Sequence, residues 1–299
     1  MNENRNTSSD LAGTAAVPLA APASQASKAH ATAPVPVPPQ AQAPSAPPEP
    51  ALARVVVVGL ASCFGCQLQI TNIESHLIEV LGQFDLRYWQ LTSDGHMPED
   101  FDVAVIEGAV TTEESLAAVL RLRERAKAVI TVGACANTAG IPGLASTRFD
   151  ERLGEVYQHL PQACGTPIAP RSVPSVITVD YAVPCCPIDP FEFLEALGRA
   201  LYGSNRTLGT RTMCGDCKRN ESACFYNQGS LCLGLVTRAG CNARCVNLGR
   251  PCNGCRGVSP HANLESAREA VARYGLSVKD FDLRLELFNQ TNPVLSGRE

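Results

Sequence analysis

The sequence predicts an α/β protein, a doubly wound parallel sheet followed by a small, irregular, cysteine-rich region. Three observations carry this. Short β-branched runs alternate with helix-period segments from Ala51 to Leu201, the pattern of parallel strands joined by crossover helices. Cysteines fall directly after several of those strands. From Asn205 onward apolar periodicity gives way to Gly, Asn and eight of the fourteen cysteines, Cys214 to Cys255.

In chain order, residues 1–50 stand apart as an Ala/Pro-rich disordered leader, with stretches such as APVPVPPQAQAPSAPPEP. Proline removes backbone donors and resists helix and sheet. Residues 51–205 form the sheet domain. ARVVVVGLA reads as a strand buried on both faces and ends in the turn ASCFGC. QITNIESHLIEVLGQ predicts one helix with Ile70, Ile73, Leu77, Val80 and Leu81 on a single face and Glu74 in a structural position. Strands are predicted at Asp85–Leu91 and Phe101–Ile106, then a helix over Glu113–Lys127. AVITVGA is a strand running into Cys135, and SVITVDYAV a strand running into VPCCP. A helix over Phe191–Leu201 follows, with Pro190 at its start. Residues 206–260 form the Cys-rich domain, too poor in core residues to hold together by burial alone. Residues 261–299 comprise a surface helix over Leu264–Tyr274 and a partly apolar tail suited to packing on a partner.

Composition narrows the function. The formal net charge of −4 argues against a nucleic-acid binder, which carries a basic surplus. No apolar run reaches the ~18 residues of a membrane helix. The opening MNENRNTSSDLAG has neither a basic n-region nor an apolar h-region. The predicted compartment is the cytoplasm, where a disulfide framework is disfavoured and metal binding is the stronger reading of so many thiols. The five histidines, 30, 76, 96, 159 and 261, are scattered and read as surface or packing residues.

The C-terminal eight cysteines divide into C-x2-C-x6-C-x7-C, Cys214 to Cys232, and C-x3-C-x6-C-x2-C, Cys241 to Cys255. Cys63, Cys66, Cys135 and one of Cys185 and Cys186 make a third quartet at the sheet edge, because parallel sheets bind ligands at the carboxyl ends of their strands. Four thiols suit one zinc ion or one [4Fe–4S] cube. Neither run has the paired C-x2-C knuckles of a zinc ribbon, and neither has the C-x2-C-x2-C-x3-C-P ferredoxin pattern. Spacing leaves both metals open and favours iron–sulfur. Glycines beside the thiols, such as Gly65, Gly133, Gly234 and Gly254, would let backbone approach a bulky cluster.

The elements VGLASCFGCQ, IEGAV, VGACANTAGIPG, VPCCPIDP and the terminal PCNGCRG resemble the small subunit of [NiFe] hydrogenases over residues 54–258. The resemblance implies a flavodoxin-like doubly wound sheet followed by a small iron–sulfur cluster domain. It implies that Cys63, Cys66, Cys135 and Cys186 hold a proximal [4Fe–4S] cluster. Cys241, Cys245, Cys252 and Cys255 would hold a medial one, and Cys214, Cys217, Cys224 and Cys232 a distal one. It places the nickel–iron centre in a partner large subunit and implies a further redox subunit carrying flavin, NAD(P) or another acceptor. This chain would relay electrons and contain no catalytic residue.

Three departures from the family pattern stand out. The distal set opens with Cys214 where membrane-linked enzymes have histidine. Cys245 stands where they often have proline. Cys185 replaces the glycine before the last proximal ligand, either as an apolar bystander or acting on the proximal cluster. These features, with the missing export signal, resemble the cytosolic NAD(P)-linked and sulfhydrogenase-like enzymes. Glu107 ends a strand at the cluster edge, as an acid facing water or as a proton relay. Cys164 reads as a plain free thiol. Two other readings remain: a quinone-reductase relative of the complex I type, which needs only the proximal cluster, and a zinc-binding scaffold.

Overall fold

The computed structural model describes residues 52–73, 76–160 and 165–296. The leader, Glu74 and Cys164 lie outside them. Strand β1 (Arg54–Gly59) pairs in parallel with β2 (Asp85–Trp89) on one side and β3 (Val103–Glu107) on the other. Strand β5 (Ala128–Val132) follows β3, and β7 (Tyr181–Val183) closes the edge. The order β2-β1-β3-β5-β7 is the doubly wound order, and it reverses beside β1.

Alternation along the strands explains the continuous apolar runs. Val55, Val57, Val103, Val105, Ile130 and Val132 enter one hydrophobic cluster. Val56, Val58, Ala104, Ile106 and Val129 enter the cluster on the opposite face. Successive side chains of a strand point to opposite faces, so a strand covered on both sides must be apolar throughout. The first face is covered by α1 (Gly65–Thr71), α2 (Leu77–Leu81) and α6 (Pro190–Tyr202), whose Phe193, Ala196 and Leu197 are buried. The second is covered by α3 (Glu113–Arg125) and α4 (Gly133–Thr138). The short α5 (Phe149–Val156) buries none of its residues fully. Thr112 and Ser115 cap α3 reciprocally, as a capping box does with Glu at the fourth position.

Four expectations change. The helix predicted across 69–83 is two helices. Thr71 Oγ1 bonds back to the Leu68 carbonyl at 2.7 Å and Asn72 closes α1, because short polar side chains favour helix ends. Of the five apolar residues placed on its single face, Ile70 and Ile73 are buried, while Leu77, Val80 and Leu81 are only partly so. The strand predicted from SVITVDYAV pairs only from Tyr181. Val173–Ser175 form a 3₁₀ turn, and the Asp180 carboxylate takes the Val129 N–H at 2.7 Å, occupying the β5 edge where the strand would have continued. An antiparallel ribbon of β4 (Val110–Thr112) and β6 (Pro167–Arg171) was not foreseen.

The fourth change concerns the C-terminal half, which has a hydrophobic cluster of its own. Met213, Leu233, Val236 and Val258 pack there with Ala267 and Val271 of α9 (Leu264–Arg273) and Phe281 and Leu285 of α10 (Val278–Glu286). The tail expected to pack on a partner instead covers the Cys-rich region, with Phe281 0% exposed. The Asn289 amide, also fully buried, donates to the Gly254 carbonyl between Cys252 and Cys255 at 3.3 Å. The Thr138 hydroxyl donates to the Phe288 carbonyl at 2.5 Å, joining the tail to α4.

Asp102 fastens the start of the sheet. It accepts hydrogen bonds from the Arg54 amide and guanidinium and pairs with Lys127 at 2.9 Å. The Arg54 hydrogen bond holds its carboxyl well below the usual carboxylate range. A depressed carboxyl stabilises the fold above its unfolded value and loses that contribution as pH falls. Asp102→Asn is therefore expected to lower the Tm at pH 7. The gap from wild type should narrow below about pH 4, the unfolded carboxylate value, in thermal melts across pH.

Candidate metal centre

The loops after β1, β3, β5 and β7 meet at one edge of the sheet. The first two pair with each other: the Leu60 amide donates to the Glu107 carbonyl at 2.7 Å, and Ala109 donates to the Ala61 carbonyl at 2.9 Å. The Glu107 side chain does not face water. It is 1% exposed, and its oxygens accept from the amides of Cys66 at 3.1 Å and Gln67 at 3.4 Å. A carboxylate on the first amides of a helix satisfies donors that have no partner inside it and complements the local dipole. Glu107 thereby fixes where Cys66 stands. Gln67, also fully buried, takes the Trp89 indole N–H at 2.7 Å.

Cys63, Cys66, Cys135 and Cys186 converge here. Burial pushes the Cys66 thiol up, and Glu107, Cys186 and Cys135 add to it. Burial pushes Cys135 up to about 11, with contributions from Cys186 and Cys63. Partial desolvation of its sulfur raises Cys186, and Cys63 adds to it. Cys135 and Cys186 therefore lie within electrostatic reach of each other and of both Cys63 and Cys66. Gly133 (φ 83°) has its backbone against Cys66: a Cβ there would stand 2.5 Å from the Cys66 sulfur. Cys63 and Cys186 are exposed, which leaves the group open to a partner surface.

The second group comprises Cys214 and Cys217 on α7 (Cys214–Arg219), with Cys224 and Cys232 leading two 3₁₀ turns. Burial pushes Cys214 up to about 11, helped by Cys232, Cys217 and Cys224. The Cys232 sulfur accepts the Cys252 amide at 3.2 Å. A Cβ on Gly234 would lie 3.3 Å from the Cys214 sulfur and 3.6 Å from that of Cys232. Cys224 is exposed.

The third group contains Cys241, Cys252 and Cys255, with Cys245 exposed on the short helix α8 (Arg244–Asn247). Burial pushes Cys252 up to about 12, and its sulfur lies 3.6 Å from the Thr237 hydroxyl. Cys185 belongs with these thiols. Its sulfur is 3.7 Å from that of Cys255, and it lies near enough to Cys241 to influence that thiol.

Backbone strain concentrates in the same loops. Of the seven non-glycine residues with positive φ among the described residues, Phe64 lies within CFGC, Cys185 within VPCCP, Glu221 between Cys217 and Cys224, and Asn242 and Ala243 between Cys241 and Cys245; Ala139 and Arg148 lie elsewhere. Such conformations cost L-residues free energy and gather at functional sites.

The donor set fits iron–sulfur clusters. Each quartet is thiol-only, the usual ligation of a cube, and glycine leaves room against the sulfurs of two quartets. The raised thiols keep their protons in the metal-free chain and would release them on ligation. Among the described residues, no three His, Cys, Asp or Glu gather as closely as a single bound ion requires. The four described histidines are exposed.

Sequence reading missed Arg256, although it directly follows Cys255. The residue is 4% exposed, and its guanidinium forms two 2.7 Å bonds to Glu192 at the start of α6. This clamps the Cys-rich region to the sheet helix and leaves a buried cation beside the third group. Removing one member of a buried pair strands the other, at a cost of about 3–5 kcal/mol. Arg256→Met is expected to destabilise the fold by that amount in denaturant titration, and Arg256→Met with Glu192→Leu to recover part of the loss.

Fold and thiol geometry define an iron–sulfur electron-transfer protein on a flavodoxin-like sheet. Residues 63–200 match the family NADH ubiquinone oxidoreductase, 20 Kd subunit. A subunit of the vhu F420-non-reducing hydrogenase of Methanocaldococcus jannaschii is 31% identical, over 68% of this chain and 81% of the relative. Its counterpart in Methanococcus voltae is 30% identical, over 82% and 98%. Sulfhydrogenase 2 subunit delta of Pyrococcus furiosus is 29% identical, over 72% and 90%. The chain belongs to the family of [NiFe] hydrogenase small subunits. It is the electron-transfer subunit of an oxidoreductase whose hydrogen-activating site lies in a partner large subunit. No helix among the described residues is long and apolar enough to cross a membrane.

Proposed function

We propose that this chain carries three [4Fe–4S] clusters and conducts electrons between the large subunit's nickel–iron centre and a further redox subunit. The observation that carries the reading is the gathering of the cysteines into separate thiol groups, one at the sheet edge and two in the Cys-rich region. Cys63, Cys66, Cys135 and Cys186 would hold the proximal cluster. Cys241, Cys245, Cys252 and Cys255 would hold the medial one, and Cys214, Cys217, Cys224 and Cys232 the distal one. When bound, such clusters accept and pass on electrons singly, at potentials set by ligation, hydrogen bonding and burial.

The chain's own residues do the rest. Glu107 positions the Cys66 loop, and engagement of both its oxygens supports that role over a proton relay. Buried Cys66, Cys232 and Cys252 exclude water from one side of each group. Exposed Cys63 and Cys186 suit the large-subunit face, and exposed Cys224 suits electron exit. The likeness to the F420-non-reducing hydrogenases and sulfhydrogenase supports an acceptor subunit of the kind such soluble-type enzymes use, and a cytoplasmic setting.

Serine variants test the grouping. Cys66→Ser, Cys232→Ser and Cys252→Ser are each expected to abolish or convert one EPR signal of the anaerobically purified complex and leave the other two intact. Loss of the same signal in two of these variants would contradict the grouping. Zinc in place of iron would contradict the cofactor.

A further inference from the structure

The Cys185 thiol is not used by the ligand assignment above, and the structure places it in an unusual position. It is 7% exposed. Its backbone has φ 123°, a region open to glycine and costly for any residue with a Cβ. The backbone is held there, because the Cys185 carbonyl accepts the Ala134 amide at 2.8 Å. Glycine would fill this position without strain. The thiol lies against Cys255, sulfur to sulfur at 3.7 Å, while the next residue, Cys186, belongs to the sheet-edge group. Adjacent residues thus face different thiol groups.

We propose that Cys185 is a hydrogen-bond donor to the ligand sulfur of Cys255, raising the reduction potential of the medial cluster. The proposal rests on the assignment of Cys255 to that cluster. Ligation removes the Cys255 proton. The contact distance is within hydrogen-bonding range for two sulfurs, and only one of them has a proton to give. A donor aimed at a ligand sulfur stabilises the more anionic, reduced state and so shifts the potential upward. The position suits an electron relay, since Cys185 stands in the chain directly before a proximal ligand and in space against a medial one.

The test is an EPR-monitored redox titration of the anaerobically purified complex, comparing wild type, Cys185→Gly and Cys185→Ser. Cys185→Gly relieves the backbone strain, so folding is not at risk. The proposal expects the medial midpoint potential to move to a more negative value in Cys185→Gly, with proximal and distal potentials and total iron unchanged. Cys185→Ser, which keeps a donor, should fall between the other two. An unmoved medial potential overturns the proposal, and so does a shift confined to the proximal cluster. Loss of about four iron in Cys185→Gly overturns it as well, by making Cys185 a ligand. A wild-type complex without a medial signal overturns instead the assignment on which the proposal rests, before any variant is compared.

Discussion

The bonds from the Cys66 and Gln67 amides to the Glu107 carboxylate are the contact on which the sheet-edge site depends. A cluster site at the end of a parallel sheet needs loops from distant parts of the chain to meet in register. The strands set the register and Glu107 closes it. It sits at the last residue of β3, paired with Gly59 on one side and Val132 on the other, and reaches across to the helix that carries Cys66. Gly133 then lets the β5 loop approach the Cys66 sulfur where any Cβ would collide. A buried carboxylate on backbone amides holds that loop without placing another thiol or cation in the space a cluster would occupy.

The Cys-rich region solves a different problem. It has few strands and short helices, yet it is not held by thiols alone. The C-terminal helices supply Phe281, Leu285 and Val271 to its core, and the Arg256–Glu192 pair joins it to α6. Cys185, Cys255 and Arg256 come together where the sheet-edge group adjoins this region, on the path that the proposed relay would use. Buried positive charge and a thiol donor at that junction would both favour the reduced state.

Much of this was legible in the sequence, for physical reasons. A strand covered on both faces must be apolar throughout, so VVVV and AVITV announced β1 and β5. Thiols at strand ends pointed to the sheet edge as the place where Cys63, Cys66, Cys135 and Cys186 meet, and the two cysteine runs were visible from their spacing. What could not be read depended on partners distant in the chain. The shortening of SVITVDYAV follows from the Asp180 carboxylate occupying the β5 backbone. The destination of FDLRLELF required knowing that the Cys-rich region leaves an apolar face uncovered. Arg256 looked like any surface arginine until Glu192 appeared opposite it. Cys185 was visible as a departure from the family's glycine, but neighbouring residues suggested the proximal group, and its positive φ turns the thiol toward Cys255 instead.

The most direct test of the central claim is the metal content of the anaerobically purified complex. The account predicts about twelve iron per small subunit, three four-iron clusters, with nickel arriving on the larger chain. About four iron would leave only the sheet-edge cluster and contradict the relay. Zinc without iron would contradict electron transfer altogether.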